Sequence, residues 1–251
     1  MQHFYTKDYD GEIVVTSSSW RDAHKEENRV WTPKSIINEP DNPTAHIIGN
    51  GPSRKNFDLK LLNGQTGGEE GIRSVGQSYG CNLLYKDFAP TFLFVFDKTM
   101  IAEIADTDYG EDNIVYSSAK NILKHPGNFH LYPHHYNAMV GNLACHLACA
   151  DGHKRLFLLG FDWYVDGTEN IYHDTHQRYA TILEQNIESA NNKLTSTLER
   201  LVAMYSEVQF YRVADTSAGA FPDEFNWYSN WKQIEYRQYY AMASLGASHK
   251  N

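Results

Sequence analysis

Apolar residues along this chain come in short blocks broken by glycine, proline and acidic positions. Three blocks are predominantly apolar: "AHII" at 45–48, "TFLFVFD" at 91–97 and "RLFLLGFD" at 155–162. An apolar run of this length predicts a strand buried on both faces of a sheet. Weaker strand signals fall in "GEIVVTSSSW", "IRSVGQSYGC", "NIVYSSA", "FHLYPHH" and "VQFYRV", the last read as the final strand. Between them the spacing turns helical. Met139, Leu143, Leu147 and Ala150 share one face of a predicted helix, and Ile182, Ile187, Leu194, Leu198 and Leu201 form a stripe along a helix over 179–205. "KTMIAEIAD" predicts another helix, and "GPSRKNFDLKLL" a further one with Pro52 in its first turn. Strands alternating with helices predict an α/β fold, with a mainly parallel sheet covered on both faces. There is no internal repeat.

Three regions follow from the same pattern. Residues 1–44 hold an edge strand and a polar, proline-bearing lead-in, 45–218 the alternating domain, and 219–251 a tryptophan- and tyrosine-rich helical tail. The tail is expected to pack on the domain or to make an oligomer contact. "NGQTGGEEG" reads as a glycine-rich loop.

Composition narrows the classes. A chain of 251 residues with 41% hydrophobic content can bury one sizeable core. No apolar run approaches the length of a membrane span, and the first residues lack the basic start and apolar block of a signal peptide. A cytoplasmic protein is expected. A net charge of −9 with no basic arm argues against a dedicated nucleic-acid binder. The cysteines Cys81, Cys145 and Cys149 make no disulfide framework. Cys145 and Cys149 read as small apolar residues on one helix face, and no metal is expected there.

The candidate chemistry sits at strand ends. Ligands of open parallel sheets bind outside the carboxyl ends of the strands, and three ends are marked: Gly49-Asn50-Gly51-Pro52-Ser53, Asp97 and Asp162. Glycines let a backbone approach an anion, and a following helix N-terminus offers free N–H groups. The turn is neither a dinucleotide fingerprint nor a Walker loop. Each feature has a plainer reading: Asp97 and Asp162 as helix caps, His134 and His135 as surface residues, and His173, Asp174 and His176 as loop residues whose metal pattern is weak.

Taken together, "HIIGNGPSRKNFDL", "GCNLLYKDFAPTFLFVFD", "VGNLACHLACADGHKRLFLLGFDWY", "YHDTHQRY" and "VQFYRVADTS" occur in an order that resembles the family-42 bacterial sialyltransferases. It is also similar to a related group that includes archaeal hydroxymethylpterin diphosphokinases. The resemblance spans about His46 to Ser217. It implies a Rossmann-like three-layer sandwich and an enzyme that takes a sugar from a nucleotide-activated donor, of the CMP-sialic-acid kind in those relatives, to an acceptor, with no cofactor and no metal. Gly49, Asn50, Gly51, Pro52 and Ser53 match the donor-binding turn; Asn82, Gly141 and Asp162 match further donor contacts, and Asp97 is added as a strand-end candidate. Val140 stands where the family carries Ser or Thr. In those enzymes a histidine is the general base, and tyrosine hydroxyls stabilise the departing phosphate. His176 and His173 match the first role, with spacing that leaves the choice open and Tyr179 leaning it to His176; Tyr164 and Tyr172 match the second. Imidazole titrates near neutral pH, which suits a base, and phenol hydrogen-bonds to developing charge. The diphosphokinase likeness implies the alternative, an ATP- and magnesium-dependent enzyme with Asp97 and Asp162 as metal ligands. A nucleotide-binding module without chemistry is the third reading.

Overall fold

The computed structural model describes residues 3–7, 13–17, 42–63, 65–66, 72–73, 75–125, 128–132, 138–165, 170–176, 187–215, 219 and 221–243. The strands β1 (His3–Lys7) and β2 (Ile13–Ser17) form an antiparallel pair. Strand β3 (Thr44–Ile48) leads into two short 3-10 turns, Pro52–Arg54 and Leu59–Asn63. A second antiparallel pair, β4 (Gln65–Thr66) and β5 (Ile72–Arg73), precedes β6 (Gln77–Cys81). Then come β7 (Phe92–Phe94), α1 (Lys98–Ala105), α2 (Tyr109–Asp112), β8 (Ile114–Ser117), α3 (Ala119–Lys124) and β9 (His130–Leu131). The chain continues with α4 (Val140–Ala150), β10 (Arg155–Leu159), α5 (Ile187–Met204), β11 (Gln209–Val213), β12 (Trp231–Ile234) and α6 (Tyr236–Met242).

Eight strands form the main sheet in the order β12-β11-β10-β3-β6-β7-β8-β9. Every neighbouring pair in it is parallel. From β3 the chain moves outward through β6 to β9, then returns to β10 on the other side of β3. The reversal opens a crevice between the carboxyl ends of β3 and β10.

Side chains alternate across the pleat, so each strand feeds two cores. Ala45, Ile47, Leu156, Leu158 and Phe210 pack with Leu143 and Leu147 of α4 and with Leu194, Leu198 and Leu201 of α5. Ile48, Phe157, Leu159 and Val213 face the other way, against Met100, Ile101 and Ile104 of α1 and Tyr239 of α6. The expected three-layer α/β sandwich is the observed one. Buried His46 interrupts the apolar run of β3, and its ring is satisfied on both sides: it meets the Val75 carbonyl through Nε2 and the Tyr239 hydroxyl through Nδ1, each at 2.8 Å.

Three expectations need correction. The helix expected after Gly51 is a three-residue 3-10 turn, because Ser53 N–H is drawn to a remote carboxylate and Arg54 folds back on the turn. The segment read as final strand is followed by β12, which pairs with β11, so the tail completes the sheet as well as covering it with α6. The apolar runs also outlast their strands: β7 stops at Phe94 and β10 at Leu159, where Gly160 at φ +68° turns the chain. His134, His135 and the opening of the helix expected over 179–205 lie outside the described residues. Cys81, Cys145 and Cys149 are buried free thiols. Among the described residues no helix is long and apolar enough to cross a membrane.

Candidate functional site

The loops after β3 and β10 meet at the crevice and are joined through main chain. Gly49 N–H donates to the Leu159 carbonyl at 2.8 Å and Gly51 N–H to the Gly160 carbonyl at 2.9 Å. Ser53 N–H donates to Asp162 Oδ2 at 2.8 Å. A Cβ on Gly49 would stand 2.5 Å from the Gly160 carbonyl oxygen, and one on Gly51 would overlap the Asp162 carboxylate. The glycines at 49 and 51 are therefore required by loop-to-loop contact, whatever else they admit. Asp162 is 6% exposed, and its other oxygen faces the guanidinium of fully buried Arg212 at 3.6 Å.

Arg54, buried behind the turn, organises the same corner. Its Nε donates to the Gly49 carbonyl at 2.5 Å, and its Nη2 to Asn50 Oδ1 at 3.2 Å and to Tyr172 OH at 3.3 Å. Asn50 Nδ2 in turn donates to the Cys81 carbonyl at 3.2 Å. The Asn50 carboxamide thus ties the β3 loop to the end of β6.

A cleft of about 510 Å³ opens over this crevice, within the usual range for small-molecule sites. One wall holds Gly49, Asn50, Asn82 and Asp97; the second holds Val140 and Gly141 at the start of α4, and Asp162 and Tyr164 after β10; α5 adds Lys193. Asn82 sits at φ +54°, the described non-glycine residue in the left-handed region. Asparagine tolerates that conformation better than most side chains, and such strain is concentrated at functional positions. Met139, the N-cap of α4, makes no side-chain cap bond, and the first turn carries no acidic residue. Asn142 N–H donates to the Met139 carbonyl at 2.9 Å. No acceptor for the Val140 and Gly141 amides lies among the described residues, and amides at a helix start favour an anion. Gly141 is small because Phe161 packs 3.0 Å from where its Cβ would be.

Of the residues singled out in the sequence, Gly49, Asn50, Asn82, Asp97, Gly141, Asp162 and Tyr164 line this one cleft. Gly51, Pro52 and Ser53 are outside the lining: Gly51 and Ser53 tie the two loops together through Gly160 and Asp162, and Pro52 is exposed. Asp97 caps α1, its Oδ1 accepting from Thr99 N–H at 2.8 Å and Met100 N–H at 3.3 Å. Tyr172 is buried and outside the lining: its hydroxyl donates to Asp87 Oδ2 at 2.5 Å, and burial, with Asp87, pushes the phenol well above its ordinary pKa. The segment that bears it is pinned to the turn by Ile171 N–H on the Asn50 carbonyl at 2.9 Å. His176 Nε2 lies 2.9 Å from Glu103 Oε1 of α1, and His173 Nδ1 lies 2.9 Å from Asp174 Oδ1. Neither histidine lines the cleft.

Arg54, Lys193 and Asn191 were not singled out from sequence. Arg54 sits in a basic pair that reads as solvent-facing, and Lys193 and Asn191 in the polar run of an amphipathic helix. Only the helical offset of Asn191 from Leu194 and Leu198, onto the buried stripe, hints at an inward polar residue.

No protein-family model matches the sequence, and no curated protein matches it. Among solved structures the chain is similar to the monofunctional alpha-2,3-sialyltransferase Cst-I from Campylobacter jejuni, at 16% identity and a TM-score of 0.46 over 78% of this chain and 86% of that one. It is similar to the sialyltransferase CstII from Campylobacter jejuni in complex with cytidine-5'-monophosphate, at 16% identity and a TM-score of 0.44 over 67% and 79%. A variant of the sialyltransferase CST-II in complex with CMP gives 17% identity and a TM-score of 0.46 over 80% and 98%. All three are sialyltransferases.

Proposed function

We propose that this chain is a glycosyltransferase that takes a sugar from a nucleotide-activated donor, with cytidine as the base the motif resemblance favours. The observation that carries the reading is the cleft itself: the start of α4, whose N-cap Met139 makes no side-chain cap bond, and Lys193 line the same cavity as Asn50, Asn82 and Tyr164. Free amides and a cation suit a phosphate, carboxamides suit ribose and base edges, and a phenol suits an oxygen on which charge develops. In the reaction the bond between the sugar carbon and the phosphate oxygen breaks, and its electron pair stays on the phosphate. The acceptor oxygen bonds to that carbon, and its proton passes to a histidine. Tyr164 donates to the departing phosphate. Neither histidine lines the cleft; His176 is the preferred base because Glu103 of α1 orients its ring and α1 opens onto the cleft at Asp97 and Met100, so the acceptor oxygen has to sit at the cleft rim beside α1. His173 is the second candidate, and Tyr172 acts by holding Arg54 and the segment 170–176 in place.

The alternative with ATP and magnesium asks Asp97 and Asp162 to bind the metal. Each already accepts a backbone amide at 2.8 Å through one oxygen, and the second oxygen of Asp162 faces the Arg212 guanidinium at 3.6 Å, so a cation there would meet that positive charge. No metal is assigned to the reaction here.

A thermal-shift series with CMP, UDP, GDP and ATP, each with and without magnesium, separates the readings, since a ligand that binds the native state raises its melting temperature. Stabilisation by CMP without metal is the expected result. Stabilisation by ATP with magnesium alone overturns it.

A further inference from the structure

Tyr164 stands on the loop after β10, yet its main chain is held from α5. Asn191 Oδ1 accepts from Tyr164 N–H at 3.0 Å, and Asn191 Nδ2 donates to the Tyr164 carbonyl at 2.7 Å. One carboxamide thus pairs with both polar groups of a single residue, as a neighbouring strand would. Asn191 is 5% exposed. Each of its polar atoms has a partner on Tyr164, so burial leaves neither atom without a hydrogen bond. The helix that carries it is fixed in turn: Asn142 Nδ2 of α4 donates to the Leu194 carbonyl at 2.8 Å and the Lys193 carbonyl at 3.3 Å.

We infer that Asn191 is a positioning residue, which sets Tyr164 against the cleft and acts on catalysis through it; this rests on the glycosyltransferase reading. A loop residue after a strand end ordinarily drifts, and a catalytic hydroxyl displaced by about 1 Å loses much of its effect. Asn191 gives the Tyr164 main chain a fixed frame from a separate element. It also couples the cleft wall formed by α5 to the strand end that bears the tyrosine.

The test is a double-mutant cycle of Asn191→Ala and Tyr164→Phe, followed by donor turnover and by NMR of protein labelled at the tyrosine Cζ carbons. Asn191→Ala is expected to lower kcat about tenfold to a hundredfold with donor KM within about twofold of wild type. The double variant is expected to be no slower than Tyr164→Phe alone, because the two act as one unit. Asn191→Asp keeps the acceptor for Tyr164 N–H and is expected to recover part of the rate. In the ligand-free protein, the resonance absent from Tyr164→Phe is expected to move or split in Asn191→Ala. Independent, multiplying losses in the cycle overturn the inference, and so does an unmoved Tyr164 resonance. A wild-type chain that turns over no nucleotide sugar overturns the glycosyltransferase reading instead, and the resonance still decides whether Asn191 sets the position of Tyr164.

Discussion

Ser53 and Asp162 lie on loops 109 positions apart, and the Ser53 amide donates to the Asp162 carboxylate at 2.8 Å. That single contact joins the two strand ends between which the sheet reverses direction. It also makes one carboxylate both a cap for the turn after β3 and the counter-charge for buried Arg212. The residue that most resembles a donor ligand is therefore a structural tie as well.

Asp162→Ala leaves the Arg212 guanidinium buried without its carboxylate. Removing one partner of such a pair costs about 3–5 kcal/mol. Urea unfolding is expected to show a loss of that size, with Asp162→Asn losing less because it keeps an acceptor for Ser53 N–H. A wild-type midpoint in Asp162→Ala would show that Arg212 finds other company.

Gly49→Ala and Gly51→Ala each force the two loops apart, since the new Cβ meets the Gly160 carbonyl in one case and the Asp162 carboxylate in the other. Both are expected to lower the melting temperature by several degrees, about 1–3 kcal/mol for overpacking. Both are also expected to weaken CMP binding, measured by calorimetry, while Gly152→Ala, at φ +99° but in open space, is expected to lose stability without losing CMP.

His176→Ala is expected to lower kcat by about 10²–10⁴-fold, the ordinary contribution of a general base, and to leave CMP affinity unchanged. His173→Ala is the control. Should the loss fall on His173→Ala and spare His176→Ala, the two roles are exchanged.

Lys193→Met is expected to weaken CMP binding about fivefold to tenfold and to flatten its dependence on salt, because it removes a cation from the cleft wall. An unchanged affinity at low salt would place the phosphate elsewhere.

Acid is expected to destabilise the fold through two buried histidines. Burial holds His46 and His153 down to about 4, from an ordinary value of 6.5. As pH falls from about 6.5, the unfolded chain takes up protons that the folded chain refuses. The stability they contribute is whole above 6.5 and is lost between there and about 4, at up to about 1.4 kcal/mol per pH unit for each histidine. Urea unfolding at pH 7, 6 and 5 measures the slope. His46→Gln is expected to make it shallower, and an unchanged slope would mean that His46 takes up its proton in the folded state.

The order of strands and helices was legible along the chain, because a strand buried on both faces must be apolar throughout and a packed helix must repeat its apolar residues every turn. "AHII" and "RLFLLGFD" declared the central strands, and their ends located Asn50 and Asp162. Local pattern carries no record of which remote groups meet. It promised a helix after Gly51, where Asp162 and Arg54 instead draw the chain into a 3-10 turn. It hid β12 in an aromatic tail, since an edge strand of four residues with polar outer positions has no long apolar run. It missed Asn191, Lys193 and Arg54, because a polar residue that serves one distant backbone group looks like any solvated one until the helix is packed. The alternation of layers was thus set by local periodicity, which sequence records. The site was set by hydrogen bonds across 27 to 118 positions, which only the closed sheet brings within reach.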